Sequence, residues 1–120
     1  MKRSYAATGA VLLALAAAFA VAPLAGAHRS TAAVKTVTVR MTEFHFALST
    51  KTAPHGKVTF KVVNKGKIAH DFKIAGHKTR LLQPGQSASL TVTLAKGRHP
   101  YLCTVDSHAK FGMKGVFTST

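Results

Sequence analysis

Beyond residue 30 the sequence predicts an all-β fold, an antiparallel sandwich or small barrel of about seven or eight short strands. Three observations carry that reading. Apolar residues alternate with polar ones at a period of two. Gly, Pro and Asn interrupt the chain at short intervals. No apolar period of helix length is present.

Taken in order, Val37 and Val39 alternate with threonines in a first strand. Phe44, Phe46 and Leu48 alternate with Glu43, His45 and Ala47 in a second. Val58, Phe60 and Val62 alternate with Lys57, Thr59 and Lys61, and Leu90, Val92 and Leu94 with Ser89, Thr91 and Thr93. Such alternation, rich in β-branched residues, marks strands with one buried and one wet face. Residues 101–104 read as the end of a strand and residues 115–118 as the start of the next. Turns are expected at Ala53-Pro54-His55-Gly56, Asn64-Lys65-Gly66, Ala75-Gly76, Gln83-Pro84-Gly85 and Lys96-Gly97. No repeat, linker or second domain interrupts the series.

The N-terminal stretch is of a different kind. Lys2-Arg3 precedes an alanine-rich apolar run over residues 10–22, followed by Pro23 and the small residues Ala25-Gly26-Ala27. A short basic region, an apolar stretch and an A-x-A-like end are the parts of a secretory signal peptide. The run is too short and too rich in alanine for a spanning helix of roughly 20 strongly apolar residues, with an uncleaved anchor as the alternative. Residues 1–27 are thus expected to be a signal peptide and residues 28–120 a single secreted or periplasmic domain. Such a domain is long enough to bury a modest core.

Charge narrows the partners. Without Lys2 and Arg3, 15 basic residues face Glu43, Asp71 and Asp106, a net charge of +12. Export argues against nucleic acid, and the lysines are scattered rather than blocked. The field suits acidic protein partners and contact with an anionic envelope. Three carboxylates are too sparse for a paired-carboxylate hydrolase.

The chemistry is concentrated in Tyr101-Leu-Cys-Thr-Val-Asp-Ser-His-Ala-Lys-Phe-Gly-Met113. Cys103 is the only cysteine and has no intramolecular partner, so outside the cytoplasm it is reactive, intermolecular or bound. Cys103, His108 and Met113 follow a C-x4-H-x4-M spacing on one loop between two strands, where three side chains can converge. His70 follows a turn signal and is the natural fourth donor from a second loop. Singly, each has an ordinary explanation: an inert buried thiol, a loop histidine, a core methionine. Together they form a set with one metal in common. Two imidazoles, a thiolate and a weak axial thioether make a blue-copper electron-transfer site. Zinc takes four Cys/His ligands in structural sites, or three ligands and a water in catalytic ones, and neither pattern uses a methionine.

These residues resemble the cupredoxins of the plastocyanin, azurin and auracyanin kind. The resemblance rests on Asn64-x-Gly66 ahead of His70, the Pro84-Gly85 turn, and Tyr101-x-Cys103-x4-His108-x4-Met113 followed by Gly115. It covers nearly all of residues 28–120. It implies a Greek-key β-sandwich with one copper ion, held equatorially by His70, Cys103 and His108 and axially by Met113. It also implies outer-sphere transfer of one electron, with His108 as the edge for entry and exit. Two departures stand out. Asp71 replaces the Asn common after the first histidine, keeping an acceptor for Thr104 but adding charge beside the copper. Asp106-Ser107 replaces the Pro-Gly that many relatives carry before the second histidine.

The expected function is a monomeric one-electron carrier meeting acidic redox partners through an apolar rim of Ala109, Phe111 and Ile68 or Pro84. A copper-buffering or copper-delivery protein is the alternative, and an adhesion module a third reading. Catalysis is not expected, because all four metal positions are filled by protein and no open site is left for substrate. His45, His55, His77 and His99 read as surface histidines, and His28 as a weak accessory Cu(II) position beside a new N-terminus.

Overall fold

The computed structural model describes residues 9, 14, 16–22 and 33–120. Most of the expected signal peptide, with the cleavage point and His28, lies outside the described residues. Among those described there is no helix, and none that is long and apolar enough to cross a membrane.

Nine strands follow in order: β1 (Lys35–Thr42), β2 (His45–Leu48), β3 (Thr52–Ala53), β4 (Gly56–Asn64), β5 (Lys73–Ile74), β6 (His77–Lys78), β7 (Ser87–Leu94), β8 (Gly97–Leu102) and β9 (Lys114–Ser119). They form a four-stranded sheet in the order β2-β1-β4-β7 and a five-stranded sheet in the order β3-β9-β8-β5-β6. The all-β sandwich expected from the alternation is the fold observed. Three of the strands are only two residues long, which accounts for the count above seven or eight.

The sheets are not purely antiparallel. β1 pairs with β4 in parallel, Val37 opposite Phe60 and Val39 opposite Val62, and β3 pairs with β9 in parallel. The reason is the path between them. After β1 and β2 the chain visits the second sheet at β3, then re-enters the first at β4 beside β1 and in the same direction. A parallel pair needs a long crossover of this type.

Alternation builds the core. Val37, Val39 and Met41 of β1, Val58, Phe60 and Val62 of β4, and Val92 and Leu94 of β7 point inward and are buried. Phe72, Ile74, Tyr101 and Phe117 meet them from the other sheet. Phe60 packs on Phe72 and Phe117 with ring centroids 5.3 Å apart in both pairs, and Phe46 bridges Phe72 and Tyr101 edge to face. Such pairs contribute about 0.5–1.5 kcal/mol each beyond the burial of their area.

The turn signals fall where the chain reverses. Ile74 pairs with His77, so Ala75 and Gly76 form a two-residue hairpin turn with φ of 50° and 76°. That turn type requires positive φ at both central positions. One strand reading needs correction at its start. Phe44 is not the first residue of β2 but half of a two-residue turn, with Thr42 paired to His45 and Phe44 at φ 35°. The hairpin has to reverse within Glu43-Phe44, and alternation alone does not register that.

Candidate metal centre

Four segments meet at one end of the sandwich: the β1–β2 turn, the loop after β4, the residues around Leu82, and the loop between β8 and β9. Asn64 organises the first histidine. Fully buried at the end of β4, its Nδ2 donates to the carbonyls of Ile68 and Leu82, both at 2.8 Å, and its Oδ1 accepts the Gly66 amide. Leu82 in turn exchanges two backbone hydrogen bonds with His70, at 3.0 and 2.8 Å. The isolated bridge from His70 to Leu82 therefore hangs from one buried amide.

The second loop winds on itself. The His108 amide donates to the Val105 carbonyl, the Met113 amide to the His108 carbonyl, and the Cys103 amide to the Met113 carbonyl. Cys103, His108 and Met113 are thus linked through their backbones before any metal is considered. The chain reverses at Asp106 and Gly112, with φ of 36° and 106°. Asp tolerates the left-handed region better than most side chains, so Asp106 can supply this reversal.

His70, Cys103 and His108 come together and are buried. The two Nδ1 atoms lie 3.2 Å apart, and Cys103 Sγ lies 3.9 Å from His70 Nδ1 and 3.6 Å from His108 Nδ1. Three donors placed about 2–2.3 Å from one shared centre would be separated by about this much. Met113, also fully buried, sits one backbone hydrogen bond from both Cys103 and His108. His45, His55 and His77 are exposed and His99 is half-buried. Among the described residues, none of the four joins a group of metal donors.

Burial disfavours charge on these donors in the absence of a metal. Burial lowers the pKa of His70, keeping its imidazole neutral, and the Glu43 hydrogen bond opposes that shift in part. Burial also pushes the Cys103 thiol above its ordinary value. A thiolate exists there only opposite a positive charge, which a coordinating metal provides.

Asp71 accepts the Thr104 amide at 2.6 Å through Oδ1 and the Thr104 hydroxyl through Oδ2. The partner expected from the sequence is the partner observed, and it ties the His70 loop to the Cys103 loop. Two other groups on the site went unnoticed in the sequence. Glu43 Oε1 lies 3.3 Å from His70 Nε2, and Phe44 sets its ring edge-on to His108 at a centroid distance of 5.0 Å. Phe44 packs in turn on Phe111, which is 65% exposed, while His108 is 7% exposed. His108 is therefore on the expected loop, with the Phe44 ring packed against it.

Fold and donor triangle together define a small β-sandwich metalloprotein with a mononuclear imidazole–thiolate site. The donor set fits copper: a soft thiolate suits Cu(I) and imidazoles serve both oxidation states. The chain matches the family model of the cupredoxin-like domain over residues 11–118, and it belongs to that family. Its fold is that of two solved auracyanins. One is the dithionite-reduced auracyanin of the photosynthetic bacterium Roseiflexus castenholzii, with a TM-score of 0.64 and 24% identity over 72% of this chain and 97% of that one. The other is auracyanin B, with a TM-score of 0.65 and 24% identity over 72% of this chain and 88% of that one. Among curated proteins, none matches the chain in sequence.

Proposed function

We propose that this chain is an exported blue-copper protein that carries one electron at a time between acidic redox partners. The observation that carries the reading is the buried His70–Cys103–His108 triangle, whose donors are held by backbone hydrogen bonds and a buried Asn rather than by flexible side-chain packing. Met113, buried and joined by backbone hydrogen bonds to both Cys103 and His108, would add a weak thioether donor to the three. A copper ion held there supplies a one-electron Cu(II)/Cu(I) couple.

The chain's own residues do the rest. The sheet ends and the wound loop fix the donors so that little moves when charge changes. Cys103, 1% exposed, lies within the core cluster, which keeps water from the thiolate. His108 is the least buried of the four donors and gives the shortest way to the surface. With His70, Cys103, His108 and Met113 as its four ligands, the site would leave no place for a substrate, which fits a carrier rather than an enzyme. The same enclosure disfavours copper delivery, which needs an exchangeable ion. Lys2-Arg3 followed by the apolar run over residues 10–22 fits export through a cleaved leader to a place outside the cytoplasm.

The test is an optical titration of the purified protein with Cu(II) beside Cys103→Ser. The expected result is an intense visible thiolate-to-copper band at one equivalent, bleached by reductant and missing from the variant. A colourless wild type, or absorption that persists without Cys103, would sink the ligand assignment. Fast loss of Cu(I) to a competing chelator, with slow electron exchange, would instead move the function to copper handling.

A further inference from the structure

The β1–β2 turn touches both imidazole donors from outside the donor set. On one side, Glu43 Oε1 accepts the backbone amides of Lys67 at 2.6 Å and Ile68 at 3.0 Å, and lies 3.3 Å from His70 Nε2. On the other, Phe44 packs its ring against His108. The approach of the carboxylate is built into the loop. The Glu43 carboxylate lies close over Gly66, where a Cβ would meet Oε1 and stand 3.0 Å from Cδ, so a side chain there would displace the carboxylate from its place behind His70. Phe44 adopts φ 35°, a conformation that bulky residues hold only when their surroundings impose it. Three separate features therefore converge on placing one carboxylate behind one ligand.

Resting on the copper reading above, we infer that Glu43 is a positioning residue for the metal centre, its carboxylate taking the Nε2–H of His70 so that Nδ1 faces the metal as a strengthened donor. A neutral imidazole carries one N–H, and the bond made by one nitrogen decides which of the two is bare. An ionised carboxylate only accepts hydrogen bonds, so it meets Nε2 only as N–H. The bare nitrogen is then Nδ1, the atom that stands 3.2 Å from His108 Nδ1 and 3.9 Å from Cys103 Sγ. The Lys67 and Ile68 amides both donate to Oε1, so the carboxylate faces this loop, and Nε2 beside it, as an acceptor. A negative charge behind the ring makes the imidazole more basic and favours the more highly charged metal state. Glu43 therefore stabilises Cu(II) over Cu(I).

The experiment has one arm without metal and one with it. In metal-free protein at neutral pH, 15N NMR of the His70 ring is expected to show the Nε2–H form. Glu43→Ala is expected to lose that preference. Glu43→Gln keeps the shape and an acceptor for the two amides while removing the charge, and serves if the alanine variant fails to fold. With copper, Glu43→Gln is expected to shift relative affinity toward Cu(I) by about 10-fold, a rise in reduction potential of about 59 mV. A wild-type His70 found as Nδ1–H, or a blue Glu43→Gln protein whose potential equals that of wild type, overturns the assignment. A wild type that gives no blue band is a failure of the copper reading alone, and the metal-free tautomer still decides whether Glu43 orients His70.

Discussion

Asp71 stands next to His70 with its carboxylate turned toward the other ligand loop, where it takes both the amide and the hydroxyl of Thr104. It is 4% exposed, and a carboxylate so buried is costly unless its oxygens find donors. Here both oxygens do. Thr104 follows Cys103 directly, so the bond fixes the thiolate relative to the first histidine. Removing the carboxylate leaves the Thr104 amide unpaired, and a hydrogen bond to a charged group is worth about 1.5–3 kcal/mol. Asp71→Ala is expected to lose about that much stability in urea unfolding, and Asp71→Asn less, since its amide oxygen still accepts the Thr104 N–H. An Asp71→Ala midpoint equal to wild type would show that the tie carries no energy. This contact was legible in the sequence because Asp71 adjoins one ligand and Thr104 another. Glu43 was not. It lies 27 positions from His70, inside a segment whose alternation reads as strand. The one signal available was its being the only glutamate in the chain.

The elements next to the site set how firmly it is held. β8 and β9 run into the two ends of the ligand loop, and Tyr101 pairs with Gly115 across them. The Tyr101 ring lies close against that glycine: a Cβ at Gly115 would meet the Tyr101 hydroxyl and stand 2.5 Å from Cζ. The ring has no room to yield, being 2% exposed and packed on Phe46 and Phe72. Gly115→Ala therefore overpacks the sheet, at a cost of about 1–3 kcal/mol. Thermal unfolding is expected to fall by at least about 4 °C, the shift that 1 kcal/mol produces in a domain of this size. An unchanged Tm would mean that Tyr101 moves more freely than its packing indicates. Strand positions were readable from sequence because the alternation of β1, β4 and β7 reports which face is buried. It is silent on the neighbour across the ladder, so the parallel pairing of β1 with β4 came only from the chain's path. Phe44 was misplaced for a related reason: a two-residue turn hidden in an alternating run leaves the alternation intact.

At the scale of the molecule, the three acidic residues all sit at the metal end. Glu43 and Asp71 are spent on His70 and Thr104, and Asp106 lies within the ligand loop. Every other charge over residues 33–120 is basic, and Lys65, Lys67, Lys110 and Lys114 are exposed on the segments that carry the ligands. An acidic partner of the kind proposed would meet those lysines beside the apolar surface of Phe111 (65% exposed) and Ile68 (43% exposed). The core of such a contact desolvates while its charged rim stays wet, so charge acts mainly on the rate of encounter. Screening over about 8–10 Å at moderate ionic strength removes much of that steering. The bimolecular rate of electron exchange with an acidic redox protein, followed by stopped flow at the blue band, is expected to fall steeply as salt rises. Lys67→Glu and Lys110→Glu should flatten that dependence, and Phe111→Ala should slow exchange at every salt concentration alike. A rate indifferent to salt in the wild type would place the partner's docking surface away from these lysines.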